Sequence, residues 1–144
     1  MTSAILAIAA LCLPVAFRLF NDGTGIYFWL WALNIDTGSA EIWFNDSMIA
    51  VVGAILETAV IVVAIVILIF VTKSIKNDSN KAKKIDALLI LAAILLVISP
   101  VGYIIGGDAY QHNFWAKYTP HFGLIGLFIA AGLVIITIIL RKRA

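Results

Sequence analysis

Charged and sulfur-containing side chains are scarce in this sequence of 144 residues. Only 12% of the residues are charged and 63% are hydrophobic, whereas ordinary soluble domains contain about 25% charged and about 45–50% apolar residues. The single cysteine, Cys12, excludes an intrachain disulfide, a CxxC redox pair and a cysteine zinc cluster. No phosphate-binding loop, catalytic triad or pair of catalytic acids is recognisable. The composition therefore indicates a membrane protein that is not itself an enzyme, although it could belong to a membrane enzyme complex.

Long apolar stretches dominate what is present, at residues 2–20, 47–72, 85–106 and 122–140. Each approaches or exceeds the about 20 residues that a helix needs to cross about 30 Å of hydrocarbon. We therefore predict an all-α integral membrane protein whose single domain, residues 1–144, contains four transmembrane helices.

The basic residues predict the orientation of these helices. Eight of the ten lysines and arginines lie at 73–84 or 141–143, and such an excess marks the cytoplasmic side of a membrane. We therefore predict that both termini are cytoplasmic and that the loops 21–46 and 107–121 are outside. The simplest location is a prokaryotic plasma membrane.

The predicted outer loops hold all four tryptophans. The stretch "IYFWLWAL" at 26–33 is too short to span a bilayer, so we expect a short interfacial segment in the first outer loop. Aromatic side chains at such a place either anchor the chain among lipid headgroups or bury themselves in another subunit. The predicted partner or interface contacts are Tyr27, Phe28, Trp29, Trp31, Trp43 and Trp115.

One acidic residue, Glu57, falls within the second apolar stretch, about 15 Å below its start. An ionised carboxylate at that depth costs at least a few kcal/mol, about 2.5 to 3.5 on insertion scales. Small residues at helical spacing, Gly53 among them, indicate that Glu57 faces another helix. Arg18, near the outer end of the first predicted helix, leans toward it. We therefore predict a buried or water-bridged pair of Arg18 and Glu57.

Two alternatives for Glu57 remain open. It could carry a proton or cation along an ion path, or it could be protonated and bonded to a backbone group. Other polar groups at a similar depth are Cys12, Ser99 and the carbonyls of Ala10 and Leu96, which Pro14 and Pro100 leave without helical partners.

The histidines are weak candidates for a metal site. Asp108 and His112 have the i, i+4 spacing of one helical face, and His121 follows nine residues later. Pro120 before His121 also suits the start of a helix, where histidines commonly make hydrogen bonds. We predict no metal and no cofactor, and a bound lipid is compatible with the sequence.

Three functions are consistent with these patterns. The first is a non-catalytic accessory subunit of a larger membrane complex that docks through its outer aromatic residues, with other membrane subunits or a second copy as partner, in contact with the lipid bilayer and not with nucleic acid. The second is a small proton- or ion-coupled transporter that uses Glu57. The third is a tetraspan surface scaffold or adhesion protein. The loop layout is similar to that of claudin-like tetraspan proteins, but the first outer loop lacks the pair of cysteines of that family, and adhesion is therefore not implied.

Overall fold

The computed structural model describes residues 1–30, 33–44, 48–77, 82–110 and 112–143. Its helices are α1 (Thr2–Cys12), α2 (Met48–Asn77), α3 (Ala82–Tyr110), α4 (Phe114–Lys117) and α5 (Phe122–Arg143). Its strands are β1 (Ala16–Leu19), β2 (Gly25–Phe28), β3 (Leu33–Asp36), β4 (Glu41–Phe44) and β5 (Thr119–Pro120).

Three of the helices are long and apolar enough to cross a membrane. The candidate spans are Val51–Ser74, Lys84–Gly107 and Phe122–Lys142, with mean hydropathies of 3.1, 2.7 and 2.8. Much of their apolar surface is exposed, as lipid-facing positions require. All the predicted spans except the first, 2–20, are thus present as helices of sufficient length.

The first helix is much shorter than predicted. It ends at Cys12 after 11 residues, or about 16 Å, which is too short for about 30 Å of hydrocarbon. Leu13 is already extended, with φ −106° and ψ 152°, because a residue before proline disfavours the helical conformation and Pro14 has no N–H to donate. The prediction of a helix over 2–20 was therefore wrong, and the chain continues into β1.

A five-stranded sheet lies at the end of the bundle where α1 stops. The strand order is β4-β3-β2-β1-β5, and every neighbouring pair is antiparallel. The all-α prediction was therefore wrong. In the expected interfacial segment, residues 26–28 lie in β2 and Leu33 begins β3, while residues 31 and 32 lie outside the described residues. Aromatic and β-branched residues favour strands, and Asp22-Gly23 forms the first hairpin turn, with φ +84° at the glycine.

Backbone hydrogen bonds join the sheet to α5. The N–H of Val15 donates to the Phe28 carbonyl at 2.7 Å, and the N–H of His121 donates to the Val15 carbonyl at 2.8 Å. The N–H of Gly123 donates to the Pro14 carbonyl at 2.9 Å. The segment between α1 and β1 is therefore held against the start of α5, which fixes where the sheet sits on the helices.

Small residues let α1 lie close to α5. Ala4, Ala7 and Ala10 are 4%, 0% and 0% exposed, and a methyl group added to Gly126 would lie 3.3 Å from the Cβ of Ala10. Close backbone approach through small side chains is the usual way in which membrane helices pack. The remaining core is formed where α3 packs between α2 and α5.

An ion pair joins α3 and α5 at the opposite end of the bundle. Nε of Arg141 donates to Oδ1 of Asp86 at 3.1 Å, and both side chains are partly exposed. Such a pair contributes about 0.2–1 kcal/mol at most, so apolar packing decides the arrangement of these two helices.

Candidate functional site

An aromatic cluster closes the sheet end of the bundle. Phe28 of β2 packs edge-on against Phe114 at 5.6 Å and against Tyr118 at 4.6 Å. On α3, Tyr103 contacts Trp115 at 6.0 Å in the same perpendicular manner. Edge-to-face pairs of this kind each add about 0.5–1.5 kcal/mol beyond the area they bury. The cluster of Phe28, Tyr103, Phe114, Trp115 and Tyr118 therefore binds the sheet and α4 to α3.

Two tryptophans donate hydrogen bonds to helix carbonyls. Nε1 of Trp29 donates to the Cys12 carbonyl at 3.1 Å, which satisfies one of the carbonyls left free where α1 ends. Nε1 of Trp115 donates to the Ile104 carbonyl at 2.8 Å. Among the predicted contact residues, Phe28, Trp29 and Trp115 therefore make contacts within their own chain.

The opposite side of the sheet carries a row of apolar side chains. Residues paired across antiparallel strands point to the same side, and the register pairs Phe17 with Tyr27, Tyr27 with Ile35, and Ile35 with Ile42. Phe17 and Tyr27 stack at 6.2 Å with 16° between their planes. Because Phe28, next to Tyr27 on β2, packs into the aromatic cluster, this row faces away from that cluster. We call it, together with Leu19, the outer face of the sheet.

The outer face is apolar and partly open. Leu19 is 58% exposed and Ile42 is 67% exposed, whereas Phe17, Tyr27 and Ile35 are half-buried. Large apolar side chains in a contiguous row are unusual on a surface that meets only water. Of the predicted contact residues whose side chains are described, Tyr27 is the one on this face.

The first hairpin turn is held by a carboxylate. Asp22 Oδ1 accepts from the Thr24 hydroxyl at 2.6 Å and from the Thr24 N–H at 3.0 Å. These bonds, the side-chain bond first, hold the pKa of the exposed Asp22 carboxyl below its ordinary value. The turn therefore places β1 and β2 side by side and brings Phe17 opposite Tyr27.

Glu57 lies between α2 and α3, where it faces Ser99 and Gly102. A methyl group at Gly102 would collide with Oε1 of Glu57, so the carboxyl occupies the space that a glycine leaves. The hydroxyl of the fully buried Ser99 faces the same carboxyl. Pro100 has no N–H, so the carbonyl of Leu96 lacks its helical donor. We call Glu57, Ser99, Gly102 and this carbonyl the Glu57 site.

Arg18 does not complete this site. It lies on β1 with an exposed side chain, and its guanidinium carbon is 5.2 Å from the centre of the Phe20 ring. Within the described ranges Arg18 makes no ion pair with Glu57. The prediction assumed that Arg18 ends a continuous membrane helix, but the helix stops at Cys12. The structure therefore brings Glu57 to Ser99 and Gly102 and leaves Arg18 on the sheet.

The predicted metal candidates are not grouped. Among the described residues, no cluster of three or more histidine, cysteine, aspartate or glutamate side chains could hold a metal ion. His112 is exposed, and the ring of His121 packs edge-on against Phe17 at 5.2 Å. The His121 carbonyl accepts from the N–H groups of Leu124 and Ile125, so His121 lies immediately before α5 and accepts its first helical hydrogen bonds. The side chain of Asp108 is outside the described set.

Two predicted contact residues lie beyond what the structure describes. Trp31 falls outside the described residues, and Trp43 is described only through its place in β4. Sequence reasoning did not find Gly102 as the neighbour of Glu57, since a glycine signals no chemistry by itself.

No protein-family model matches the chain, and no curated protein matches it.

Proposed function

We propose that the protein is a non-catalytic subunit of a larger membrane complex and that it contacts its partner through the outer face of the sheet. The observation that supports this function is the partly exposed apolar row Phe17, Tyr27, Ile35 and Ile42, with the exposed Leu19 beside it. The partner is a membrane subunit, or a second copy, with a matching apolar surface outside the membrane.

The orientation is part of the proposal. The loop 73–84 and the end 141–143 contain most of the basic residues, so we place them on the cytoplasmic side of a plasma membrane. The sheet then lies outside, at the other ends of α2, α3 and α5. Because α1 is about half as long as a span, the proposal keeps three full crossings and leaves α1 packed against α5.

The exposed part of the outer face can stabilise a contact when a partner buries it. A leucine or isoleucine side chain contributes about 1.5–3 kcal/mol when it moves from full exposure to full burial. Leu19 and Ile42 still expose more than half of their surface, so each can contribute a large part of that amount to a contact. The aromatic side chains of Phe17 and Tyr27 beside them already stack on each other. They therefore lose less conformational entropy when a partner binds.

The test is co-purification after gentle detergent extraction, with the mass of the intact assembly measured under native conditions. We expect the wild-type chain to carry a partner, and the double variant Leu19→Ser, Ile42→Ser to lose it while its circular dichroism remains helical. Ala116→Ser, an exposed position on α4, is the control and should retain the partner. A wild-type chain that is monomeric, or a double variant that keeps its partner, would refute the proposal.

A further inference from the structure

The Glu57 site offers more oxygen ligands than the chain itself uses. Neither Oε2 of Glu57 nor Oγ of Ser99 makes a hydrogen bond of ordinary geometry among the described residues, although both atoms are buried and the Ser99 hydroxyl lies near enough to the carboxyl to interact with it. The Leu96 carbonyl adds a third oxygen, because Pro100 cannot donate to it and residue 96 itself is 0% exposed. Ser99 follows Leu96 by three residues, so these two groups lie on one side of α3.

The Ser99 hydroxyl differs from those of Thr72 and Thr137, whereas the buried Thr58 hydroxyl next to Glu57 on α2 also makes no hydrogen bond among the described residues. Thr72 donates to the Leu68 carbonyl at 2.7 Å, and Thr137 donates to the Leu133 carbonyl at 2.8 Å. This bond to the carbonyl four residues back is the ordinary way to satisfy a hydroxyl in an apolar helix. Ser99 does not make it and faces Glu57 instead.

The space toward the outer end of the helices is open beside Glu57. Gly53 lies four residues before Glu57 on α2, and Gly106 lies four residues after Gly102 on α3, so both continue the faces that meet at the carboxyl. A methyl group at Gly53 or at Gly106 would meet no described atom within 4 Å. The two glycines therefore leave open space beside α2 and α3 on the outer side of the carboxyl, and we call this space the crevice.

We propose that the Glu57 site binds a hard monovalent cation, with Na⁺ as the probe, which enters from the outer side through this crevice. An ionised carboxylate within the membrane needs a positive partner, and Arg18 is on the sheet. Carboxylate, hydroxyl and main-chain carbonyl oxygens are the ligands of hard cations, and helix carbonyls freed from their donors serve this purpose in membrane proteins. Water in the crevice would complete the coordination. The site is independent of partner docking through the sheet.

Carbodiimide labelling tests the site in the purified full-length chain. Dicyclohexylcarbodiimide reacts with protonated carboxyls in apolar surroundings, and a bound cation excludes the proton. Mass spectrometry of peptides would give the labelling rate at Glu57 in NaCl and in choline chloride of equal ionic strength. At a Na⁺ concentration ten times its Kd, mass action predicts about tenfold slower labelling. Equal rates in the two salts would overturn the proposal and leave a site for protons only.

Two variants and a second measurement separate binding from folding. Ser99→Ala removes one ligand and should reduce the protection by Na⁺, while Thr137→Val, which deletes a hydroxyl already bonded within its helix, should retain it. If Glu57 reacts in neither salt, the thermal unfolding midpoint decides. We expect Na⁺ to raise it for the wild type and not for Glu57→Gln. A midpoint that responds to Na⁺ equally in both proteins, or in neither, would contradict the site.

Discussion

The close contact between the segment that follows α1 and the start of α5 predicts opposite outcomes for one substitution at two glycines of α5. A methyl group at Gly123 would lie 2.5 Å from the Leu13 carbonyl oxygen and 2.6 Å from the Pro14 carbonyl oxygen. Both are backbone atoms, and the N–H of Gly123 is bonded to one of them, so the contact cannot relax by rotation of a side chain. A methyl group at Gly132 would meet no described atom within 4 Å.

The expected magnitudes result from two opposing terms. Alanine is better than glycine in a helix by about 1 kcal/mol, and this gain is available at both positions. Forcing an extra carbon into a well-packed contact costs about 1–3 kcal/mol, and this cost applies to Gly123 alone. We therefore expect Gly132→Ala to raise the free energy of unfolding by up to about 1 kcal/mol. For Gly123→Ala we expect a net loss of up to about 2 kcal/mol.

Reversible unfolding in mixed detergent micelles, monitored by circular dichroism, would measure both variants under one condition. Gly126→Ala gives an intermediate point, because its added methyl group would lie 3.3 Å from the Cβ of Ala10 and 3.2 Å from a carbon of the Phe122 ring. The ranking from most to least stable should be the Gly132, Gly126 and Gly123 variants. If the Gly123 and Gly132 variants are equally stable, the segment between α1 and β1 does not pack against the start of α5 as described.

Contacts elsewhere in the chain give three further predictions. Trp29→Phe keeps an aromatic ring but removes the hydrogen bond to the Cys12 carbonyl, so the free energy of unfolding should fall by about 1 kcal/mol; an unchanged value would mean that this bond does not cap α1. Because Arg18 and Glu57 do not pair, the effects of Arg18→Met and Glu57→Gln on unfolding should add to within about 0.5 kcal/mol, and a larger coupling would restore the predicted ion pair. A cysteine at the exposed Ser39, with Cys12→Ser, should react with an impermeant thiol reagent in intact cells, whereas labelling only after permeabilisation would invert the orientation.

Hydropathy predicted the long helices because burial in lipid is a property of composition over some twenty residues. The predicted stretches 47–72, 85–106 and 122–140 each lie within a long helix, apart from residue 47, which is outside the described residues. The helix ends differ by a few residues because hydropathy does not register capping or polar turns that continue a helix beyond the hydrocarbon.

The sheet was not predicted because each strand has only two to four residues, and periodicity does not distinguish so short a strand from part of a helix. Two local signals were nevertheless present. Asp22-Gly23 is a hairpin turn signal between segments rich in strand-forming residues, and Thr37–Gly38 repeats a turn before β4, where the N–H of Gly38 donates to Asp36 at 2.8 Å. The apolar stretch 26–33, which is too short to span a bilayer, lies between these two turns and is therefore consistent with strands.

Two prolines affect the regions around Arg18 and Glu57. Pro14 lies before Arg18, and Pro100 lies on α3 next to Ser99, which faces Glu57. Pro14 comes two residues after the last residue of α1 and ends it, so the depth predicted for Arg18, which counted residues along a continuous helix, no longer applies. Pro100 lies inside α3 without ending it, and there it frees the Leu96 carbonyl beside Ser99. The two prolines differ in the contacts that the chain makes after them. After Pro14 the backbone bonds to β2 and to α5, whereas after Pro100 the residues continue to pack between α2 and α5. Tertiary contacts therefore decided whether each proline broke its helix, and the Glu57 carboxyl is left to be balanced by something other than Arg18.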